Sequence, residues 1–449
     1  MNRSSGFENS SYFSPLYFQM NPSNKIGWKT AAGLVVANMV GTGVFTSLGF
    51  QVADIQSTWS IIVLWILGGV LALIGALVYA ELGTHFRQSG GDYIFLSRTI
   101  HPAAGYLYAW VSLTVGFSAP VAIAAMAMVQ YWQPLIGQGA SMGLGMGSIV
   151  LMGLFHSFSV RRSGMVQNLL TLVKLAFVLA LIVLGWIFAP TEGHTGIDFS
   201  SSWSSELFMP GFAVSLVYVF YAYTGWNSAA YIVEEIDHPR KSLPVALISA
   251  TCLVMLLYVL LQLVFLRHAP IEQLAGQVQV ATISFGNLFG SKGIFWVSLF
   301  IGIQLVATIS GYTWVGPRIT NAMAKEFRFW KPLAVTNAKG IPVRAIWFNT
   351  VIALVLMFSG SFEKVMLYAG FVLQLMGTLT IAASLKIKTR AGFQSPWRPW
   401  LQVVYILFSL WVMGLMLYDR PMESLLGMGI MVMGYLVFLL DKKSTPSPP

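Results

Sequence analysis

The chain has 449 residues, of which 56% are hydrophobic and only 9% are charged. So little polar surface cannot cover a soluble particle of this size, which excludes a soluble globular protein. The formal net charge of +10 is better explained by basic residues facing anionic inner-leaflet lipid than by nucleic acid. We therefore predict an integral membrane protein that contacts the lipid bilayer and binds no nucleic acid.

Apolar stretches without Asp, Glu, Lys or Arg recur along the chain, and each matches the roughly 20 residues that span a bilayer. Residues 99–160 are long enough for two spans with a turn near Gln133 to Ser141, and Met165 to Phe188 adds a span interrupted by one lysine. The fold class predicted is an all-α integral membrane protein with twelve transmembrane helices. The uncharged stretches are 30–53, 55–80, 99–160, 207–233, 242–266, 293–317, 345–362, 365–385, 401–418 and 424–440.

The positions of the basic residues predict the orientation of these spans. With a cytoplasmic N-terminus, most of the 26 Lys and Arg residues fall on the inner side, as the positive-inside rule expects. Residues 1–24 are then a cytoplasmic segment without a removable signal peptide, and residues 441–449 a disordered cytoplasmic tail. Cys252 lies inside a predicted span, so no disulfide-linked subunit is expected. We predict a multi-pass protein of the plasma (inner) membrane.

Span one contains small and polar residues where a helix would be weakened. Gly41, Thr42 and Gly43 lie near the middle of Val35 to Phe50. Freed backbone groups at this depth are tolerated only beside protein, water or ligand. The N–H groups and positive helix end at such a break would attract an anion. Close helix packing through small residues explains this stretch equally well.

Span six, within residues 207–233, carries a second run of small and polar residues. Thr224, Gly225, Asn227 and Ser228 lie in its middle. Spans one and six begin the two halves of a five-plus-five arrangement, and an odd number of spans per half inverts the second half. Paired interruptions in inverted repeats indicate the central site of a transporter. We therefore predict that the twelve-span domain, residues 25–440, divides into repeat one (25–190), repeat two (207–390) and two extra helices (399–440).

Four passages together resemble a known family. They are VGTGVF (40–45), YAELGTHFRQSGGDY (79–93), AYTGWNSAAYIVEEIDHPRKSLP (222–244), and GPRITNAMAKEF with KGIPVRA (316–345). They are similar to the amino acid, polyamine and organocation (APC) superfamily, on the side of bacterial amino acid permeases and L-type amino acid transporters. The resemblance implies the leucine-transporter-like inverted-repeat fold.

The resemblance also implies a substrate site at the two interruptions. It assigns the amides of Gly41, Thr42 and Gly43 to a substrate carboxylate. It assigns the backbone carbonyl of Met39 to the substrate's α-ammonium. Both assignments agree with the charges at helix ends.

In span six, the resemblance assigns the backbone carbonyls of Tyr221 and Thr224 to the same α-ammonium. Tyr221 falls where such permeases carry an aromatic gate, although packing in the bundle explains it equally well. Asn227 either contacts the substrate's side chain or forms a hydrogen bond between helices.

Lys174 is the only charged residue near the middle of any predicted span, and such a residue is a functional-site hypothesis by default. About ten residues, at 1.5 Å each, separate it from the start of its helix, a long reach for snorkelling. The resemblance places this lysine where sodium sits in sodium-driven relatives, so sodium coupling is not expected. Burial disfavours the charged form of an amine, which makes Lys174 a candidate proton carrier.

The remaining ionisable residues do not predict catalysis. Glu81, Asp92, Glu234 and Glu235 lie at or beyond inner span ends beside basic residues, which favours ion pairs or closure of a gate. The six histidines show no metal-ligand spacing. We predict no metal, no cofactor and no enzymatic activity.

Together with the resemblance, these observations predict a secondary active transporter of L-amino acids that is sodium-independent and works by alternating access, through proton-coupled symport or exchange. No carboxylate is expected at mid-membrane to pair with a cationic side chain, so neutral amino acids are favoured. A non-transporting amino acid sensor and an amine or polyamine transporter remain as alternatives.

Overall fold

The computed structural model describes residues 25–158, 160–191, 195–199, 203–387 and 392–444. The predicted N-terminal segment 1–24 and the last five residues of the predicted tail lie outside these ranges, as does His194. Nearly all of the described chain is helical, and the only β-type pairing within it is one isolated bridge between Ile26 and Ile236. The predicted all-α class is confirmed.

The helices before residue 200 form the first half of the molecule. A π-helical stretch, Ser112–Gly116, joins α5 to α6. The α-helices here are α1 (Trp28–Met39), α2 (Gly43–Gln51), α3 (Thr58–Phe86), α4 (Asp92–Thr99), α5 (Pro102–Val111), α6 (Ser118–Ile136), α7 (Gln138–His156) and α8 (Val160–Ile187).

The second half contains two 3₁₀-helices, Ser228–Glu235 and Arg328–Ala334, and a long helix that kinks at Gly290, where φ is 60°. Its α-helices are α9 (Trp203–Glu206), α10 (Pro210–Tyr223), α11 (Pro239–His268), α12 (Ile271–Leu274), α13 (Val280–Glu326), α14 (Val343–Ser359), α15 (Phe362–Ser384), α16 (Trp400–Asp419) and α17 (Pro421–Ser444).

Proline marks the start of several of these helices. Pro102, Pro210 and Pro239 stand at the first turns of α5, α10 and α11. Proline suits this position because its φ is already helical and the N–H that it lacks would have no partner there. Each of these prolines therefore marks the first turn of a new helix.

Eight helices within the described residues are long and apolar enough to cross a membrane. The pair α1 and α2, bent by 41°, passes the same test as one broken span. Large apolar side chains such as Leu172 and Leu407 are exposed on the outer helices, where lipid would cover them. The chain is therefore a multi-pass membrane protein.

Two interrupted helical pairs lie in the middle of the bundle. One is α1 with α2, and the other is α10 with the 3₁₀-helix Ser228–Glu235 that follows it. Helix α1 packs against α11, α2 packs against α10, and α3 and α13 supply further contacts to this central group. The side chains that α2 and α10 bury are almost all apolar or small. This packing buries Val40, Thr42 and Gly43 at the first break and leaves residues 224–228 of the second break half-buried.

Candidate functional site

The first break separates α1 from α2. Helix α1 ends at Met39, Val40 has a non-helical ψ of 91°, and α2 begins at Gly43. The first N–H groups of a helix have no partner within that helix, so the start of α2 presents donors at this point. The interruption falls on the residues where the sequence predicts it.

The two glycines of this break have different surroundings. A Cβ on Gly43 would lie 2.5 Å from Ala222 Cα and 2.7 Å from Ala222 Cβ, whereas a Cβ on Gly41 would meet nothing closer than Met39 O at 3.7 Å. Gly43 is therefore required for the close approach of α2 to α10. The packing explanation of the sequence applies to Gly43 and not to Gly41.

The second break follows α10. This helix ends at Tyr223, Thr224 has a ψ of 144°, and Gly225 has a φ of 102°, in the left-handed region that favours glycine. A Cβ on Gly225 would lie 2.7 Å from the carbonyl carbon of Asn38. The two breaks are therefore in direct contact with each other.

Four of the predicted site residues converge at this junction. The side chain of Tyr221 interacts with that of Thr42, and the side chain of Thr224 interacts with that of Tyr312 on α13. The Tyr221 carbonyl accepts hydrogen bonds from the Thr224 amide (3.1 Å) and the Thr224 hydroxyl (2.7 Å). The Met39 carbonyl accepts one from the hydroxyl of Tyr258 at 2.7 Å. Two of the three carbonyls predicted to receive an ammonium thus already accept hydrogen bonds in this conformation.

Asn227 belongs to a different cluster, centred on the fully buried carboxylate of Asp92 at the start of α4. Its amide donates to Asp92 Oδ2 at 3.4 Å, as does the Tyr231 hydroxyl at 2.6 Å. Asp92 Oδ1 accepts from Thr380 at 2.7 Å and from the Tyr79 hydroxyl. Burial raises the pKa of Asp92, and the hydrogen bonds from Tyr231, Tyr79 and Thr380 act in the opposite direction. Of the two roles predicted for Asn227, the structure shows the hydrogen bond between elements.

Glu81 lies in a second buried polar group near the end of α3. Its carboxylate accepts a hydrogen bond from Arg398 Nη1 at 2.6 Å and another from the Ser395 hydroxyl at 2.5 Å. The other terminal nitrogen of Arg398 donates to the carbonyls of Ser384 and Ile387. The ion pair expected for Glu81 exists, but its partner comes from the segment after α15 rather than from the neighbouring Arg87.

Lys174 lies on α8 with only 3% of its surface exposed. Its ammonium donates to the hydroxyl of Thr308 on α13 at 3.3 Å. A small cavity at this lysine is lined by Ala37, Asn38 and Val40 from the first break and by Thr308, Gly311 and Tyr312 from α13. Among the described residues lining this cavity, none is acidic. The Lys174 side chain therefore lies beside the broken span with a hydroxyl, and no carboxylate, among the described groups around this cavity.

Sequence reasoning missed three residues at this centre: Asn38, Tyr258 and Tyr312. Each lies in a span that reads as apolar, and none is charged. Tyr258 is the most consequential, because its hydroxyl reaches the carbonyls of both Met39 and Ala222. A buried hydroxyl needs a partner in an apolar interior, and this was the signal that could have identified it.

Comparisons with known proteins show which family the chain resembles along most of its length. A protein family described as "Amino acid permease" matches residues 26–439. The chain is 26% identical over 427 residues to the b(0,+)-type amino acid transporter 1 of Mus musculus. This alignment covers 92% of the chain and 87% of the mouse protein. The chain is 28% identical over 382 residues to the human protein of the same name, covering 83% and 78%. It is 24% identical over 428 residues to the human large neutral amino acids transporter small subunit 2, covering 93% and 80%.

Proposed function

Because the chain belongs to the amino acid permease family, we propose that it is a secondary active transporter that moves L-amino acids by alternating access. The observation that carries the proposal is the contact between two interrupted helical pairs inside the bundle, at Gly225 and Asn38. Helix-start amides at the first break and helix-end carbonyls at both breaks complement the two charges of an amino acid. The relatives named above are amino acid transporters by name.

In this proposal the substrate carboxylate binds the amides of Gly41, Thr42 and Gly43. The α-ammonium binds backbone carbonyls at the ends of α1 and α10, among them those of Met39, Tyr221 and Thr224. Tyr221 covers the substrate through its contact with Thr42, whereas Asn227 acts from the cluster around Asp92. This assignment places the carboxylate at the first break and the ammonium between the two breaks.

Neutral amino acids are the proposed substrates. A buried carboxylate close to the second break, that of Asp92, accepts a hydrogen bond from the amide of Asn227. A carboxylate has about four lone-pair sites, and hydroxyl and amide donors occupy both oxygens of Asp92. Little capacity remains there for the amine of a cationic side chain or of a polyamine.

Lys174 is proposed to make the transporter independent of sodium. Its ammonium lies beside the first break and in contact with α13 through Thr308, so it places one positive charge where a bound cation would otherwise be needed. Within this proposal Lys174 also exchanges a proton during the cycle, which permits proton-coupled symport. Exchange of one amino acid for another uses the same site without net proton movement.

We propose the following organisation around this site. The chain crosses the plasma membrane twelve times, with both termini cytoplasmic, and residues 25–190 and 207–390 form inverted repeats. Residues 399–440 add two helices outside the repeats, and 1–24 and 441–449 are cytoplasmic. Transport on this scheme requires no cofactor, no metal and no enzymatic step.

Equilibrium binding and counterflow, measured together on purified protein, test the proposal. Liposomes containing the protein are loaded with an unlabelled neutral L-amino acid and diluted into the labelled one, over a panel of side chains. A transporter accumulates label transiently, and protein-free liposomes do not. A sensor, the main alternative, binds the amino acid but gives no counterflow. Accumulation driven by simple amines would instead support an amine or polyamine transporter.

A further inference from the structure

The hydroxyl of Tyr258 contacts both interrupted helical pairs at once. Tyr258 lies on α11 and is fully buried. Its Oη is 2.7 Å from the carbonyl oxygen of Met39 and 3.1 Å from that of Ala222. Met39 is the last residue of α1, and Ala222 lies in the last turn of α10. One side chain thus joins the carbonyl ends of the two half-helices.

The chemistry of helix ends explains why this contact matters. The last four carbonyls of a helix have no partner within it and carry the negative end of the helix dipole. Two such ends converge at Tyr258, where they repel each other unless a donor lies between them. A tyrosine hydroxyl has a single proton, so the two carbonyls share it. Removing that proton leaves two buried acceptors facing each other.

The ring of Tyr258 is held in a fixed orientation. Trp65 meets it edge-on with ring centroids 5.5 Å apart, and Tyr223 packs against it at 5.1 Å. The hydroxyl of Tyr223 points elsewhere and donates to the carbonyl of Trp65 on α3 at 3.0 Å. The neighbouring tyrosines therefore differ in one respect that bears on the site: only Tyr258 reaches both broken ends.

We propose that Tyr258 is a positioning residue that sets the distance between the carbonyl ends of α1 and α10, and so shapes the subsite for the substrate's α-ammonium. This inference rests on the proposed transport of amino acids. It requires no direct contact between Tyr258 and the substrate. Without the shared proton, the two ends separate and no longer present their carbonyls to one ammonium group.

The test compares Tyr258→Phe with Tyr223→Phe, which removes a buried hydroxyl from an adjacent ring without affecting Met39 or Ala222. Two unlabelled ligands are tested as inhibitors of counterflow of the labelled amino acid. One is the neutral amino acid that gives the strongest counterflow. The other is the same molecule without its amine, which for leucine is 4-methylpentanoate. In Tyr258→Phe the amino acid should bind roughly 10-fold more weakly, while the amine-free acid competes as in the wild type. The ratio of the affinity for the amino acid to the affinity for the amine-free acid therefore falls. In Tyr223→Phe this ratio should stay at its wild-type value.

Two results would overturn the inference. One is an unchanged ratio in Tyr258→Phe. The other is an equal fall in Tyr223→Phe, which would indicate general loosening of the bundle. If Tyr258→Phe does not fold, Tyr258→4-aminophenylalanine is used instead, because its amine supplies an N–H donor at the same position. A lowered affinity ratio in that folded variant would also refute the inference. Failure of the proposed function looks different, because the wild type itself would then give no counterflow.

Discussion

Replacement of Gly43 by alanine tests whether close contact between α2 and α10 holds the two breaks together. The added Cβ would lie 2.5 Å from Ala222 Cα and 3.1 Å from Ala222 N. Ordinary carbon contacts need about 3.5 Å, so the helices must separate by roughly 1 Å. The obstructing atoms belong largely to the backbone and cannot rotate away. Overpacking of this kind costs about 1–3 kcal/mol.

Gly41→Ala is the matched control, two residues away on the same break. Its Cβ would meet only Met39 O, at 3.7 Å, and its φ is not positive. Where the backbone tolerates alanine, this change stabilises by up to about 1 kcal/mol, because the unfolded chain loses freedom. The assay is the apparent melting temperature of each purified variant in detergent without substrate. The expected order is Gly43→Ala below wild type, with Gly41→Ala equal to or above it. An equal or larger loss in Gly41→Ala would refute the reasoning from packing.

Further predictions concern ion coupling, ion pairs and ligand selectivity. Wild-type uptake should be unchanged when choline replaces sodium. Lys174→Ala should abolish accumulation driven by a proton gradient, and uphill accumulation by Lys174→Arg would rule out a proton carrier, because arginine does not readily deprotonate. Arg398→Met should lower the free energy of unfolding by about 3 kcal/mol, since it leaves the charge of Glu81 buried without its partner. Adding Glu81→Gln to this variant should restore part of the lost stability, and a further decrease would contradict the ion-pair argument. Asp92→Asn should lower the melting temperature, because an amide nitrogen must then face hydroxyl donors; unchanged stability would show that these hydrogen bonds contribute little. Amines without an α-carboxylate should not compete for uptake, since buried donors left unpaired cost about 1–3 kcal/mol each, and equal competition would point to amine transport.

The sequence was most informative about the positions of the helices and of the breaks. Uncharged stretches of fixed length follow directly from the thickness of the bilayer, and small residues in mid-span weaken a helix wherever they occur. The breaks at Gly41 and Gly225 could therefore be predicted from the sequence alone. The number of spans and the inverted repeat rest on spacing and on the resemblance, and they stay predictions.

The sequence was least informative about which side chains meet across the bundle. The partner of Glu81 is Arg398, more than 300 residues away, and no local pattern indicates such a pairing. Tyr258 lies in a span whose neighbouring residues are apolar, so its reach to two carbonyls depends on how α11 packs against α1 and α10. The same limit explains why Asn227, adjacent in sequence to the second break, belongs to the cluster around Asp92.

Counterflow in sodium-free medium measures whether the two breaks form a transport site for amino acids. Liposomes containing the wild-type protein are loaded with a neutral L-amino acid, with its carboxyl-free amine, or with buffer alone, and are then given the labelled amino acid. Transient accumulation of label is expected only in the vesicles loaded with the amino acid. Label that does not exceed the level in protein-free liposomes, although the protein binds the amino acid, would contradict this expectation.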